Sequence, residues 1–533
     1  MKMINLIRDR WIPVRHEDGT IMHIAPWQIT EPENPVIALA APRPDFNGAL
    51  MQFLIGLLQT AATPDSHDAW VDWLEQPPST EDLESLFMKF SGVFELTGES
   101  ACFMQDYDVL DGEQKPISAL LIDASGGKSL KDNTDHFVKR GDVAGLCEAC
   151  SAMALFTLQI NAPSGGVGHR TSLRGGGPLT TLVMLDPQGS NLKETLWRNL
   201  WLNVLDAQAV SGMTGNPAKS AQSDIFPWLA PTRTSEPKTG SDTTPKVVHP
   251  LQMFWGMPRR IRLDWSSMQE GNCDLCGNSA NKLVCKYITK NYGVNYEGAW
   301  QHPLSPHYIE AKTGKPMPVH AQPGGLGYHH WLGWVEGNDT MRPANVVSHF
   351  REDTGRRLAG EQLRLWAFGY DMDKMKPRCW YETTFPLYLI SDDQIRSEFS
   401  KRVQSMVDAA MQVAGFVQTC IKEAWFKRTS DARGDTGFLK EAFFQHTETT
   451  FYALLQPLKE AIEKRNDSHI LADWHATLSR ESMALFDYWA ARGDITVTNP
   501  RRIAQAHQKL GKLIHGKKLL ASLGIKSSKE KAA

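Results

Sequence analysis

Two C-x-x-C pairs restrict the folding of this chain more than any other feature of its sequence. Cys147 and Cys150 lie in GLCEAC, and Cys273 and Cys276 lie in NCDLCG. Four thiolates can close tetrahedrally around one zinc ion, and such a site has no open position for water, so its role is structural. Because 122 residues separate the two pairs, the ion would fasten two distant segments instead of building a small finger.

The assignment of the cysteines as zinc ligands depends on a reducing environment. Eight cysteines in 533 residues are not the disulfide framework of a small secreted protein. The sequence MKMINLIRDRWIPV has charges where a signal peptide has its apolar core. We therefore expect a cytoplasmic protein with structural Zn²⁺, and the alternatives are two unrelated pairs or redox-active cysteines. The other cysteines are expected to be core or surface thiols: Cys102, Cys285, Cys379 and Cys420.

Length and charge limit the class of protein. A chain of 533 residues is longer than one hydrophobic core supports, so we expect at least two domains. A formal net charge of -3 argues against a free-standing, strongly basic nucleic-acid binder, although a local basic stripe can exist under a neutral total. The longest apolar stretch, residues 49–62, is too short to span a bilayer, so no membrane partner is expected.

The N-terminal part mixes strand-like and helix-like segments. INLIRDRWIPVRHEDGTIMHIAPWQI predicts two strands around the turn EDGT. Helices are predicted around residues 49–62 and 80–90, and the Gly-rich turn in LRGGGPLTTLVML enters a β-rich run. The composition of residues 124–145 predicts an exposed loop, and that of residues 233–246 predicts a loop or linker.

From about residue 391 the sequence changes to long amphipathic helices. Apolar residues recur at three- and four-residue spacing from Ile395 to Ala424, after the capping sequence SDD. Three more helices are predicted, at about residues 437–465, 470–491 and 500–523. Pro457 is expected to bend or break the first of these. Four helices of this length with short links predict a bundle. The basic end that starts at Arg501 is either a solvated face or a surface for a phosphate backbone.

Catalytic motifs are not found in the sequence. SGGKS at residues 125–129 lacks the first glycine of a phosphate loop, and neither H-E-x-x-H nor G-x-S-x-G occurs. We therefore expect that the chain is not an enzyme. A zinc-stabilised nuclease with an unrecognised site and a purely bridging scaffold subunit are the alternative functions.

Three further segments carry features that suit ligand binding. The first is APSGGVGHRTSLRGGGP, residues 162–178, in which six glycines expose backbone and Arg170 and Arg174 add charge. The second is YITKNYG, residues 287–293, which follows the second cysteine pair, and the third is FGYDMDKMKPRCWYE, residues 368–382, two β-like runs around a polar tip. Taken singly, these segments are equally typical of structural turns, a lone surface lysine and an ordinary hairpin.

The order and spacing of these motifs resemble the large-subunit (CasA) family of Cascade, the type I-E CRISPR surveillance complex. The resemblance covers essentially the whole chain. It includes RDRWIPV, CEACSAMALF followed by SLRGGGPLTT, CDLCG leading to GAWQHPLSPH, the hairpin sequence and the terminal helices. It implies an α+β fold, with a large mixed α/β N-terminal domain carrying a structural zinc site over residues 1–390 and a C-terminal four-helix bundle over residues 391–533.

The resemblance also implies a function and partners. Members of this family recognise the protospacer-adjacent motif (PAM) of double-stranded target DNA through the minor groove, while guide RNA held by other Cascade subunits reads the sequence. They help to open the duplex for pairing with the guide RNA, help to hold the displaced strand of the R-loop, and support recruitment of a helicase-nuclease. The expected partners are therefore the other Cascade subunits, guide RNA, target DNA and that nuclease.

The DNA-binding residues implied by the resemblance fall in four segments. The glycine loop is Ser164–Gly168, with Val167 at a position where relatives have glycine. A minor-groove lysine falls at Asn291 by spacing, with Lys290 beside it, and both stay candidates. The tip of a hairpin wedge falls on Lys374 and Met375. The complete set of DNA-binding candidates is Phe137, Lys139, Arg140, Gly165, Gly166, Gly168, Lys290, Asn291, Lys374 and Met375.

Overall fold

The computed structural model divides the chain into two compact units. The first unit comprises the described residues of Met1–Gln322 and Asn338–Leu387, and the second those of Pro323–Gly337 and Tyr388–Ala533. The sequence predicts a single domain over residues 1–390, whereas Pro323–Gly337 groups with the helices of the second unit. The structure describes residues 4–98, 101–124, 141–166, 168–353, 355, 358, 360–373, 376–492 and 499–525.

The described strands all belong to the first unit and pair antiparallel in small sheets. Their sheet orders are β2-β1-β3, β4-β9-β6, β7-β8, β11-β10-β12 and β14-β13-β5. In chain order the strands are β1 (Ile12–His16), β2 (Ile21–Ile24), β3 (Val36–Leu39), β4 (Glu113–Pro116), β5 (Thr180–Leu185), β6 (Arg260–Leu263), β7 (Gln269–Asn272), β8 (Ser279–Leu283), β9 (Lys286–Lys290), β10 (His307–Ile309), β11 (Pro316–Pro318), β12 (Met341–Arg342), β13 (Leu363–Asp373) and β14 (Lys376–Leu387).

Helices occur in both units. The described α-helices are α1 (Pro44–Ala61), α2 (His67–Glu75), α3 (Thr80–Met88), α4 (Glu148–Asn161), α5 (Leu196–Trp201), α6 (Ala207–Ser211), α7 (Gln222–Ile225), α8 (Trp331–Val335), α9 (Asn345–Glu352), α10 (Asp393–Trp425), α11 (Phe438–Glu463), α12 (Ser468–Ala490), α13 (Pro500–Ile514) and α14 (Lys517–Ser522). The described 3₁₀ turns are Pro26–Thr30, Ser91–Val93, Ile117–Leu120, Pro227–Leu229, Pro245–Val247, Pro250–Trp255, Trp265–Ser267, Tyr328–His330 and Thr429–Asp431. Within the described part of the chain, no helix combines the length and the apolar character needed to cross a bilayer.

The core of the first unit surrounds helix α1. Pro44 at its first helical position and Asp45 in its first turn suit a helix start. The ring of Phe53 is completely buried, and five aromatic rings meet it edge-on, an arrangement that aromatic quadrupoles favour. These rings belong to Trp11, Phe94, Phe103, Phe156 and Trp255.

The two hairpins that the sequence predicts are confirmed. Strands β1 and β2 flank a turn in which Gly19 has φ +86° and Asp18 accepts a hydrogen bond from the amide of Thr20 at 2.9 Å. Strands β13 and β14 pair from Leu363↔Leu387 to Asp373↔Lys376. Strand β5 pairs with the other edge of β13. The β-rich run predicted after the glycines of LRGGGPLTTLVML is therefore the third strand of this sheet.

The second unit consists of the long helices α10–α13 packed against one another, with α8 and α14. The predicted apolar stripe of α10 is confirmed: Ile395 is half-buried, and Phe399, Val403, Met406, Ala410, Val413, Val417, Ile421 and Ala424 are buried. Asp392 caps the helix by accepting from the amide of Ile395 at 2.9 Å. Helix α11 continues through Pro457, so the proline does not break it. The last predicted helix is interrupted between α13 and α14, contrary to expectation.

Candidate functional site

The four cysteines of the two C-x-x-C pairs lie together in the first unit. Their sulfur atoms are all within 4.8 Å of one another, and the Sγ atoms of Cys147 and Cys276 are 3.8 Å apart. A tetrahedral ion with Zn–S bonds of about 2.3 Å holds its sulfur ligands about 3.8 Å apart. The cluster therefore fits one tetrahedrally coordinated metal ion whose four positions are filled by thiolates.

Each pair sits on a local structure that directs both sulfur atoms to one point. Cys147 is the N-cap residue of α4, and its Sγ accepts from the amide of Cys150 at 3.4 Å. Cys273 and Cys276 occupy the turn between β7 and β8, which Gly277 closes with φ +73° and a 2.8 Å hydrogen bond to the Cys273 carbonyl. A left-handed residue at this point favours glycine.

Hydrogen bonds that do not involve the sulfur atoms also hold the two cysteine segments together. The Oδ2 atom of Asp274 accepts from the amides of Ala144 at 2.7 Å and Gly145 at 2.8 Å. Leu146 and Val284 form an antiparallel bridge through hydrogen bonds of 3.0 and 2.8 Å. The site is therefore assembled by main-chain contacts as well as by its ligand set.

The thiols of the cluster strongly affect one another's protonation. Hydrogen bonding to the sulfur atoms of Cys147 and Cys273, together with burial, raises the pKa of the Cys150 thiol. Thiol hydrogen bonds from Cys147 and Cys150 lower the pKa of Cys273. These shifts favour a Cys273 thiolate that accepts hydrogen bonds from the Cys147 and Cys150 thiols. A bound metal ion would displace the protons of those two thiols.

Two residues separate the glycine loop from the end of α4, and Ser164, Gly165 and Gly166 are exposed. Gly166 and Gly168 have φ values of +86° and +75°, in the left-handed region that favours glycine. The carbonyl of Gly168 accepts a 2.8 Å hydrogen bond from the amide of Tyr292. A β-carbon added to Gly168 would lie only 2.7 Å from that nitrogen, so the contact itself requires glycine at this position.

The hydrogen bond between Gly168 and Tyr292 brings the two minor-groove candidates beside the glycine loop. Lys290 ends strand β9, Asn291 follows it, and both side chains are exposed. Tyr292 then turns the chain with φ +61°. A β-carbon on Gly293 would lie 1.9 Å from the carbonyl oxygen of Pro258, which explains the glycine that ends YITKNYG. Lys290 and Asn291 are therefore both accessible to a ligand at the glycine loop.

A third segment, absent from the sequence-based candidates, completes this surface. Ser235 donates to the carbonyl of Gly293 at 2.7 Å, and Arg170 donates from Nε to the Ser235 hydroxyl at 2.7 Å. Residues 236–239 and 289–292, together with Gly112 and Glu113, line a cleft of about 730 Å³. This part of residues 233–246 is consequently an ordered element of the first unit and not a link between units.

Comparisons with known proteins identify the family of this chain. The family model described as CRISPR-associated protein Cse1 matches residues 5–485. The chain belongs to the Cse1 family. The resemblance to the CasA family, which the motifs indicate, is therefore confirmed.

Solved Cse1-family structures share the fold at low sequence identity. Thermobifida fusca Cse1 is 16% identical with a TM-score of 0.72, and the match covers 98% of each chain. CasA of Thermus thermophilus is 16% identical with a TM-score of 0.70, covering 96% of this chain and 99% of that one. A chain of a CRISPR RNA-guided surveillance complex is 14% identical with a TM-score of 0.64, covering 97% of this chain and 100% of that one.

Arg174, the second arginine of the glycine-rich segment, is among the features predicted to suit ligand binding, but in this Cse1-family chain it lies in the interior. Arg174 is buried and donates to Thr180 at 3.0 Å, to Ser305 at 3.1 Å and to the Gln52 side chain. Burial lowers its pKa to about 9. Arg174 is therefore part of the interior, and Arg170 is a bracket between the glycine loop and Ser235.

The remaining candidates lie outside the described residues or next to them. The β13–β14 stem is described up to Asp373 and Lys376, and Arg378 pairs with buried Asp371 near its end. A β-carbon on Gly177 would lie 2.6 Å from the Cβ of Tyr370, so the second glycine run packs closely on this stem. The tip residues Lys374 and Met375 and the loop residues Phe137, Lys139 and Arg140 lie outside the described residues.

Proposed function

We propose that this chain is the non-catalytic large subunit of a Cascade-type, RNA-guided CRISPR complex, and that it recognises the PAM of double-stranded DNA through the minor groove. The observation that carries the proposal is the hydrogen bond from Tyr292 to Gly168. This bond sets an exposed glycine loop beside two exposed polar side chains, Lys290 and Asn291. Membership of the Cse1 family supports the same assignment.

Exposed glycine backbone with one long cation suits the chemistry of the minor groove. That groove presents acceptor atoms in a degenerate pattern, so main-chain amides and a lysine distinguish a few base pairs permissively. Gly165 and Gly166 are exposed and carry no side chain that would keep a duplex away. The neutral total charge of the chain is consistent with this, because the other subunits and the guide RNA would contribute most of the affinity.

The hairpin and the second unit complete the proposed activity. Lys374 and Met375 would insert at the duplex end, where an apolar wedge offsets the cost of unstacking, a few kcal/mol per step. Phe137, Lys139 and Arg140 would contact DNA from the loop before the first cysteine pair. The long helices of the second unit would act as the four-helix bundle of the family, which helps to hold the displaced strand and supports recruitment of the helicase-nuclease.

The cysteine cluster would hold structural Zn²⁺ in this function. Its four thiolates fill the coordination sphere, so the ion would have no role in reacting with DNA. Cys147 and Cys150 immediately precede the glycine loop along the chain, and Cys273 and Cys276 precede Lys290. The ion would therefore fix the two segments that present the DNA-contacting residues.

Reconstitution of the complex with and without this chain tests the proposal. A guide-RNA complex containing the chain should bind PAM-bearing duplexes at least tenfold more tightly than PAM-free duplexes, and should lose this ratio without it. Binding of guide RNA by the other subunits should be unaffected. Equal discrimination without the chain would contradict the proposal, as would metal-dependent cleavage of DNA by the purified chain alone.

Single substitutions at the end of β9 identify the minor-groove residue. Lys290→Ala should weaken binding of the PAM-bearing duplex about tenfold if Lys290 is the contact, since a charge-assisted hydrogen bond to DNA contributes about 1–3 kcal/mol. Asn291→Ala is the corresponding test of the other candidate. Lys286→Ala is the matched control, because Lys286 is an exposed lysine at the opposite end of the same strand. Wild-type discrimination in both test variants would remove β9 from the proposed site.

A further inference from the structure

Arg259 lies directly beneath the glycine loop. Its Nη2 atom donates to the carbonyl of Pro163, one residue before the loop. A β-carbon added to Gly165 would lie 2.6 Å from Nη1 of Arg259 and 2.6 Å from the Cβ of His169. The absence of a side chain at Gly165 is therefore what allows the guanidinium to lie against the loop backbone.

The main chain of Arg259 is fixed from the helix that precedes the loop. Its amide donates to Oε1 of Gln159 at 3.0 Å, and its carbonyl accepts from Nε2 of Gln159 at 3.0 Å. Gln159 is completely buried in α4. The neighbouring Pro258 carbonyl packs against Gly293. The position of the guanidinium is consequently set by elements that also hold the loop and the end of β9.

The charge of Arg259 is not neutralised by a carboxylate among the described residues. Its Nε is enclosed and has no hydrogen-bond partner in that part of the chain. The next residue differs, because Arg260 is buried and pairs with Asp106 at 2.6 Å. Glu113, an acid on the adjoining sheet, pairs with Lys115 at 3.3 Å. A half-buried cation without a carboxylate partner is unfavourable by itself and favours acceptor groups brought close to it.

We propose that Arg259 is a positioning residue for nucleic-acid binding at the glycine loop. It holds the loop through the Pro163 carbonyl and places positive charge behind the exposed backbone of Gly165 and Gly166. Acceptor atoms and phosphates of DNA at the loop would then balance a charge that has no carboxylate partner among the described residues. This inference rests on the proposed function, because it names a further residue of the same site.

Two substitutions of Arg259 separate its charge from its packing. In the reconstituted complex, Arg259→Gln should weaken binding of a PAM-bearing duplex about tenfold at about 50 mM salt, with a smaller loss at about 200 mM, because a charge contribution is screened. Arg259→Lys keeps the charge and should stay within about threefold of wild type. Equal losses in the two variants would overturn the electrostatic role.

Arg198 provides a matched control. It donates to the carbonyls of Leu74 at 3.4 Å and Lys193 at 2.7 Å, and it lies on α5, in a different part of the first unit. Arg198→Gln therefore removes two side-chain hydrogen bonds to carbonyls, against one in Arg259→Gln, and should leave DNA affinity unchanged. A loss of affinity in Arg198→Gln as large as in Arg259→Gln would show that the effect is only structural and would overturn the proposal.

A double-mutant cycle with Gly165 tests the contact itself. Gly165→Ala should displace the guanidinium, so the double variant with Arg259→Gln should be weaker than wild type by clearly less than the product of the two single fold-losses. Multiplicative losses would mean that the residues act independently and would overturn the proposal. Absolute duplex affinity decides the role of Arg259, whereas the ratio between PAM-bearing and PAM-free duplexes decides the proposed function, so the two can fail separately.

Discussion

At the N-terminus of α4 four side chains converge on one point, whereas at its C-terminus the neighbouring segments are joined through main-chain atoms. The N-terminal cluster consists of Cys147, Cys150, Cys273 and Cys276. The C-terminal junction is the hydrogen bond between Gly168 and Tyr292. The same two stretches of chain, α4 with its loop and β7–β9 with its turn, are thus joined at both ends, and the cysteine end adds four converging thiols to its main-chain contacts.

The two ends of α4 therefore differ in role: the cysteine end stabilises the fold, and the glycine end is suited to binding a ligand. Four thiolates fill the coordination sphere of one metal ion, so no ligand position is left for another molecule. The glycine loop leaves backbone exposed at Gly165 and Gly166, and a single main-chain hydrogen bond contributes only about 1 kcal/mol net. One end can therefore supply stability, and the other end keeps polar groups available for a ligand.

The largest effect is expected at the cysteine end. Cys147→Ser or Cys273→Ser should lower the free energy of unfolding of the first unit by more than about 4 kcal/mol, because metal-binding free energy is folding free energy. Thermal melts and metal analysis check this, with about one zinc expected per wild-type chain.

Cys285→Ser is the matched control for this substitution. Cys285 lies between β8 and β9, close in sequence to the second pair and outside the cluster. It should retain the metal and the wild-type melting temperature. A wild-type chain without bound metal, or equal losses in all three variants, would contradict a metal-fastened end.

A smaller effect is expected at the glycine end. Gly166→Ala should destabilise by about 1–2 kcal/mol, because alanine is strained at left-handed φ and nothing else lies within 4 Å of the new β-carbon. Gly168→Ala should lose about 1 kcal/mol more, since it also displaces the amide of Tyr292, and a main-chain hydrogen bond contributes about 1 kcal/mol net. Urea unfolding of the two variants checks the order, and equal losses would argue against the junction.

The smallest effect is a pH dependence at the glycine end. Burial, followed by the charges of Arg259 and Lys115, lowers the pKa of His169 to about 4. An unfolded histidine titrates near 6.5, so between pH 6.5 and 4 the unfolded state binds the proton and stability falls as the pH falls. Wild type should therefore lose more stability than His169→Gln between pH 7 and pH 5 in urea titrations. An equal change in the stability of wild type and His169→Gln with pH would contradict the lowered pKa of His169.

Features that depend on side-chain identity could be predicted from the sequence. The C-x-x-C spacing indicated the cluster, and the apolar period from Ile395 to Ala424 indicated α10, because each pattern needs particular residue types at fixed intervals. The β13–β14 hairpin followed from alternation around a polar tip. These features are local or depend on strong chemical preferences.

Features that depend on main-chain contacts between distant segments could not be predicted. Nothing in the composition of residues 233–246 reveals that Ser235 bonds to Gly293, since the acceptor is a carbonyl. The burial of Arg174 could not be predicted, because its hydrogen-bond partners, such as Ser305, are distant in sequence. Pro457 was expected to bend or break α11, and the helix continues through it because tertiary packing can outweigh a missing hydrogen bond.

The length of chain between the two cysteine pairs has a consequence for the unfolded state. With 122 residues between Cys150 and Cys273, an ion held by both pairs closes a very long loop. A cross-link over a loop of about 100 residues removes chain entropy equivalent to about 4–5 kcal/mol from the unfolded ensemble. That restriction acts on everything inside the loop, including the glycine loop and Arg259. The ion would thus limit the disorder accessible to residues that it never touches.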